Sequence, residues 1–249
     1  MQLSDAHSHL ASYKPEEVPE ILKQAKSHGV EPILAVGESM ESSLDCITYS
    51  QQSEGVYAAS AIHPWNAVLP APEIQKRLEE LARMKGIVAI GEVGLDYAKS
   101  PDNKEVQKGL LSYELSLARK LDLPVDVHSR EAHADMMSIL RKEVSQGLRG
   151  IAHGFTGDSA TLKDWLDLDF YISIGVRGFV INELPHLLAA VREIPLNRLL
   201  TETDNGAVGE LTGPSATSAV ATKLARIRGA SPEEIASAAT VNLRRVLKV

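Results

Sequence analysis

The sequence predicts an α/β fold, a single (β/α)8 TIM barrel with an extra C-terminal helix, from three observations. Eight short apolar runs alternate with longer amphipathic segments across 249 residues, a length ordinary for one such barrel. No composition break, charge run or Pro/Gly linker divides the chain, so residues 1–249 read as one domain. The residues best suited to hold a metal fall at the ends of the apolar runs, which a barrel gathers at one mouth.

Strands are expected near Leu3–Ala6, Glu31–Val36, Val56–Ile62, Ile87–Ile90, Pro124–His128, Gly150–His153, Phe170–Ile174 and Leu199–Glu202. The segments between them read as helices. Glu16–His28 opens after Pro15 and stops at Gly29. Pro72–Lys85 and Val106–Leu121 carry apolar residues at three- and four-residue spacing, as in Leu110, Leu111, Leu115 and Ala118. Glu131–Val144, Ser159–Leu166, Glu183–Arg192 and Ala216–Arg228 follow the same pattern. The last helix runs from Ser231 to about Leu247, with a capping Ser ahead of Pro232 at the first helical position. An open doubly wound sheet would share this alternation, but no Gly-x-Gly-x-x-Gly turn follows the first strand.

Composition narrows the function. With 44% hydrophobic and only 4% aromatic residues, the chain can bury a large core built from Leu, Ile, Val and Ala. Its 33 acidic and 26 basic residues give a formal charge of −7, which leaves no basic stripe for an extended duplex. A nucleic-acid end entering a metal-lined pocket stays compatible, because bound cations supply positive charge locally. The one cysteine, Cys46, excludes an intrachain disulfide and a multi-cysteine zinc site. Asp5, His7 and His9 interrupt any signal-peptide pattern, and no apolar run is long enough to span a membrane. The expected location is the cytoplasm, and nothing in the chain calls for a membrane or a protein partner.

His7, His9, His63, His128 and His153 stand at or just past predicted strand ends, as do Glu92 and Asp204. His28, His133 and His186 fall in predicted helices and read as ordinary surface or packing residues. In His7-Ser8-His9 the period of two puts both imidazoles on one side of a strand, able to share an ion. Glu92 sits in Gly91-Glu92-Val93-Gly94-Leu95-Asp96, where a carboxylate with two oxygens can bridge two cations. Taken singly, His128 and His153 suit buried packing histidines, and Asp204 a turn cap. Their joint position at one mouth is what points to metal.

The motifs Asp5-Ala6-His7-Ser8-His9, Ile62-His63-Pro64-Trp65, Gly91-Glu92-Val93-Gly94-Leu95-Asp96-Tyr97, Leu123–Arg130, His153-Gly154-Phe155-Thr156-Gly157 and Glu202-Thr203-Asp204 occur in this order. So arranged, the chain resembles the TatD family of metal-dependent deoxyribonucleases, in the amidohydrolase superfamily. The resemblance covers essentially the whole chain, including Asn242-Leu243-Arg244-Arg245 near its end. It implies that His7, His9, Glu92 and Asp204 hold one divalent ion and that Glu92, His128 and His153 hold a second. Such a pair would acidify a shared water for attack on phosphorus, with Asp204 as general base. Mixed imidazole and carboxylate ligands suit Zn, Mn, Fe or Ni, with Mg fitting the carboxylate-richer position. His63 and Arg130 are expected to contact phosphate, although Arg130 also suits a surface salt bridge.

The chain departs from the family pattern in several places. Asn205-Gly206 follows Asp204, residues 207–214 lack the usual motif, Ala61 precedes His63, and the aromatic expected near Leu111 is missing. The loop Asn205–Pro214 holds Glu210 and no basic residue, and its place after the last strand predicts that it overhangs the site. The resemblance implies a 3′-exodeoxyribonuclease acting on a single-stranded DNA end or another small phosphodiester. The alternative is a dinuclear amidohydrolase acting on an ester or amide of a small metabolite or aminoacyl group. A non-catalytic binding protein would not need the full ligand set.

Overall fold

A computed structural model describes residues 1–182 and 184–249. Eight strands lie side by side in chain order, and every successive pair is parallel. They are β1 (Leu3–Ser8), β2 (Val30–Val36), β3 (Val56–Ser60), β4 (Ile87–Asp96), β5 (Val125–Arg130), β6 (Gly150–Ala152), β7 (Tyr171–Gly175) and β8 (Leu199–Glu202). Polar contacts draw β1 and β8 together into a nearly closed barrel. The Asp204 N–H donates to the His7 carbonyl (3.0 Å), and the Thr201 hydroxyl to the Ser4 carbonyl (3.2 Å). Buried Asp5 accepts the Thr203 N–H at 2.9 Å and its hydroxyl at 2.6 Å.

Each strand of a parallel barrel is covered on both faces, which is why its sequence reads as a nearly continuous apolar run. Residues Ile33 and Ala35 of β2 face the helical layer, while Leu34 and Val36 join an inner cluster with Ala6, Ala59 and Ile151. The outer layer comprises α1 (Val18–Ser27), α2 (Met40–Gln52), α3 (Pro72–Ala82), α4 (Lys104–Leu121), α5 (His133–Val144), α6 (Ser159–Asp167), α7 (Pro185–Glu193) and α8 (Thr217–Arg228). A ninth helix, α9 (Pro232–Leu247), begins as its sequence requires, with the Ser231 hydroxyl accepting the Glu234 N–H at 3.1 Å. Its Asn242 amide donates to the Leu196 and Leu199 carbonyls, and its Thr240 hydroxyl to that of Gln2. Those partners lie at the starts of β1 and β8, so α9 closes the N-terminal end of the barrel. The opposite end is left for the site.

Two local features go beyond the sequence expectation. Helix α2 has no bounds legible in the sequence, because its buried side carries Ser43, Cys46 and Tyr49 beside Met40 and Ile47, which blurs the apolar period. Its start is nonetheless encoded, since Ser39 and Ser42 exchange side-chain and backbone hydrogen bonds in a reciprocal cap. Strand β4 continues six residues past Ile90, so Glu92 is held within a strand rather than on a turn. Its two glycines serve close approach: at Gly94, φ is +150° and an added Cβ would stand 1.9 Å from the His128 carbonyl oxygen. Glu183, where the seventh helix was expected to open, lies outside the described residues; α7 begins at Pro185.

A buried acid on α4 fixes the end of β3. Glu114 Oε1 accepts the Ile62 N–H at 2.8 Å, one residue ahead of His63, and its second oxygen has no partner among the described residues. Burial pushes the Glu114 carboxyl well above its usual range, against the Ile62 hydrogen bond. A raised folded pKa means that stability is full below the unfolded pKa and is lost as pH rises towards the folded value. Glu114→Gln, which mimics the protonated acid, is therefore expected to match wild type near pH 4 and to gain on it above. The gain grows by about 1.4 kcal/mol per pH unit through the window. Urea midpoints measured across pH check this, and a constant difference between the proteins contradicts it.

Candidate metal centre

The barrel mouth brings together all the groups that the sequence singled out. His7, Glu92 and His128 come from within β1, β4 and β5, while His9, His63, His153 and Asp204 follow β1, β3, β6 and β8. Glu92, only 2% exposed, is the hub. Its Oε1 lies 2.9 Å from His128 Nδ1, 3.2 Å from His63 Nε2 and 3.5 Å from His153 Nε2. Its Oε2 lies 3.5 Å from Nε2 of both His7 and His9. His7 and His9 Nε2 atoms are 3.0 Å apart, and His9 Nε2 is 3.4 Å from Asp204 Oδ1. Nitrogens sharing one ion at about 2 Å each must approach to on the order of 3 Å. Among the described residues three overlapping groups bring their ligand atoms within 4.8 Å of one another: His7–His9–Asp204, His7–Glu92–His153 and His63–Glu92–His128.

The far nitrogens of the rings separate His63 from the other four histidines. An imidazole whose remote N–H donates to an acceptor turns its lone pair inward, the arrangement of a metal ligand. His7 Nδ1 meets Asp126 Oδ2 at 2.6 Å and His9 Nδ1 the Val36 carbonyl at 3.2 Å, while His153 Nδ1 stands 2.9 Å from Glu202 Oε1 without a hydrogen-bond partner among the described residues. His128 is reversed: Nε2 meets Asp96 Oδ2 at 3.0 Å, and Nδ1 is the nitrogen facing Glu92. In His7, His9 and His128 the inward nitrogen is free of its proton when the ring is neutral. His63 is the opposite case. Its Nδ1 accepts the Trp65 N–H at 3.1 Å, so the neutral ring carries its proton on Nε2 and donates towards Glu92. His63 is thus set up as a donor, although its position alone would suit a ligand.

Asp126, Glu202 and Asp96 received no role from sequence. Their signal was a fully buried carboxylate inside or at the end of an otherwise apolar strand. Asp126 Oδ1 has no hydrogen-bond partner among the described residues, so this acid serves His7 above all, whereas Glu202 Oε1 accepts the Gly154 N–H at 2.9 Å beside His153. The cluster is strongly polarised. Burial opposes ionisation of Glu92, but His153 and His7 together with the hydrogen-bonding histidines hold it well below the carboxylate range. Burial likewise opposes ionisation of Asp204, and His9, His153 and His7 outweigh it, bringing the carboxyl down to about 2. Burial alone would lower His7, yet Asp126 and Glu92 raise it well above its usual value. For His63 burial prevails over Glu92 and keeps the ring neutral. This donor set fits divalent cations: imidazole lone pairs converge with anionic carboxylates that only positive charge balances.

Asn205, a departure from the family pattern, has a structural use. Asp204 and Asn205 both take positive φ (47° and 51°), which Asp and Asn tolerate better than most residues. That turn aims Asn205 back at β1, where Oδ1 accepts the His9 N–H at 3.0 Å and the amide donates to the His9 carbonyl at 2.6 Å. The rest of the loop does not overhang the site as expected. Gly213 packs against Tyr13 and Ile21, and the Thr212 hydroxyl reaches Gln24 of α1. The pocket of about 330 Å³ beside Asp204 and His153 is instead walled by the turns after β5, β6 and β7. Arg130 lines it and makes no ion pair among the described residues. Arg177, which sequence reasoning missed, lines it from the wide helical turn Val176–Ile181, with Nε 3.9 Å from Asp204 Oδ2.

Residues 4–248 match the model of the TatD related DNase family. The chain is 32% identical over 254 residues to YabD, an uncharacterized metal-dependent hydrolase of Bacillus subtilis, covering 99% of each protein. It is 31% identical over 190 residues to the 3′-5′ ssDNA/RNA exonuclease TatD of Klebsiella pneumoniae, spanning 74% of this chain and 70% of that one. The crystal structure of YjjV, a TatD homologue from Escherichia coli, superposes with a TM-score of 0.85 at 27% identity, covering 99% and 98% of the two chains.

Proposed function

Since this chain belongs to the TatD-related DNase family of metal-dependent hydrolases acting on ester bonds, we propose that it is a two-metal phosphodiesterase that trims the 3′ end of single-stranded DNA. What carries the reading is the orientation of three histidines, His7, His9 and His128, with acceptors on their outer nitrogens and their inner nitrogens turned towards Glu92. His7, His9, Glu92 and Asp204 would hold one ion, and Glu92, His128 and His153 the other. Bound there, divalent ions supply Lewis acidity to a phosphoryl oxygen and lower the pKa of water.

The protein's own groups do the rest. Arg130 and Arg177 stand on the pocket side, where planar guanidinium groups pair with phosphate oxygens. His63 presents Nε2–H towards Glu92, positioned to orient that carboxylate and any substrate oxygen beside it. Asp204, ionised and a third exposed, is in the state that accepts a proton from attacking water. A relative named a 3′-5′ ssDNA/RNA exonuclease supports the choice of substrate. The test is turnover of a 3′-labelled single strand and of a simple phosphodiester with Mn²⁺, alongside a panel of carboxylic esters and lactams. Hydrolysis of the panel without phosphodiester cleavage would replace this reading with the amidohydrolase alternative.

Few cations face the mouth, so the affinity of a single strand should depend weakly on salt. One to three phosphate contacts imply a log–log slope between roughly −0.7 and −2. Anisotropy titrations in Ca²⁺ at several salt concentrations measure it. A slope implying six contacts would reveal an extended groove.

A further inference from the structure

We propose that Trp65 is a stacking platform for a nucleobase of the bound strand, with Lys99 as its phosphate partner, an inference that rests on the single-strand reading above. Trp65 follows His63 on the turn after β3 and is 36% exposed at the rim of the mouth. Its ring centroid lies 4.5 Å from that of His63 and 6.2 Å from that of His128. The indole is fixed at its edge, where Nε1–H donates to Asp96 Oδ2 at 2.7 Å. A rigid, partly exposed aromatic within one residue's breadth of the metal-binding cluster is placed to meet the base next to the scissile bond.

The ring face is capped by a cation rather than by packing. Lys99 Nζ sits 3.2 Å from the Trp65 centroid, and among the described residues this ammonium has no hydrogen-bond or ion-pair partner. Such a contact is weak at an exposed site, so a base can displace it. The flexible ammonium then moves to the flanking phosphate. The same loop repeats the pairing, with Lys104 Nζ 4.4 Å over Tyr97. Aromatics interleaved with cations are how sequence-tolerant single-strand sites hold bases and backbone together.

Trp165 is only 3% exposed and Trp65 is the other of the two tryptophans, so fluorescence reports the platform directly. The holoprotein in Ca²⁺ is titrated with a hexathymidylate strand and with the same backbone built from base-free tetrahydrofuran units. We expect the thymidine strand alone to quench Trp65, and to bind about tenfold tighter than the base-free strand. Trp65→Ala should erase that preference. Trp65→Phe, which lacks the bond to Asp96 but keeps a ring, should retain most of it. Weakening of Asp96 would affect both strands alike and cancels in the ratio. Lys99→Ala should weaken both strands equally and make the salt slope shallower by about 0.7. A preference unchanged by Trp65→Ala overturns the proposal while leaving the nuclease reading intact. Failure of wild type to bind or cleave either strand overturns both.

Discussion

Glu92→Ala is expected to reduce hydrolysis of a single strand by roughly 10⁴-fold or more, a loss on the order of 5 kcal/mol or greater in transition-state stabilisation. The same assay should show His63→Ala losing on the order of 2–4 kcal/mol, the range for removal of one well-placed donor. The difference follows from geometry. Both oxygens of Glu92 face histidine nitrogens, Oε1 towards His128 and His153 and Oε2 towards His7 and His9. Removing this side chain disorganises both proposed ion positions and takes away the carboxylate that His7, His9, His128 and His153 share. His63, with Nδ1 occupied by the Trp65 N–H, gives up one donor and no ligand. Metal content should therefore fall in Glu92→Ala and stay at the wild-type level in His63→Ala. Equal activities in two folded variants contradict the division of roles.

The second large effect is expected from a residue that would touch no metal. Asp126→Ala should weaken divalent-ion binding by about a hundredfold and Asp126→Asn by about tenfold, the range for groups that orient metal-binding histidines. Asp126 Oδ2, at 2.6 Å, is the acceptor that keeps the His7 proton on Nδ1 and its lone pair inward. Asparagine can still accept that proton but removes the charge that raises the basicity of the ring. Alanine leaves the tautomer unspecified. Calorimetric titration of each variant with Mn²⁺ reads the effect, and an affinity equal to wild type in Asp126→Ala would show that His7 is oriented by something else.

Much of this was legible in the sequence because barrel topology converts position along a strand into position in space. His7, His128 and His153 needed only the recognition of strand ends. Glu92 reads from sequence as lying past the end of its strand, because Gly91 and Gly94 interrupt the apolar run, whereas β4 continues pressed against the His128 carbonyl. The bounds of helix α2 are not legible because a buried face containing Ser43, Cys46 and Tyr49 carries little apolar contrast. The orienting acids were out of reach for a different reason. Which nitrogen of His7 or His128 meets Asp126 or Asp96 depends on ring orientation, and no spacing rule encodes that. Arg177 was hidden in the same way, since the turn after β7 determines whether an arginine there faces solvent or Asp204. The loop after Asn205 shows the limit of position as a guide: it follows a strand end, yet packs down against α1.

The most direct test of the two-metal account is a titration of metal-stripped protein with Mn²⁺, following bound equivalents and cleavage of a 3′-labelled single strand in the same samples. The account predicts no cleavage by the stripped protein, recovery that completes at two equivalents per chain, and the same stoichiometry for His63→Ala. Cleavage that proceeds without added metal, or completes at one equivalent with no second ion bound, would contradict it.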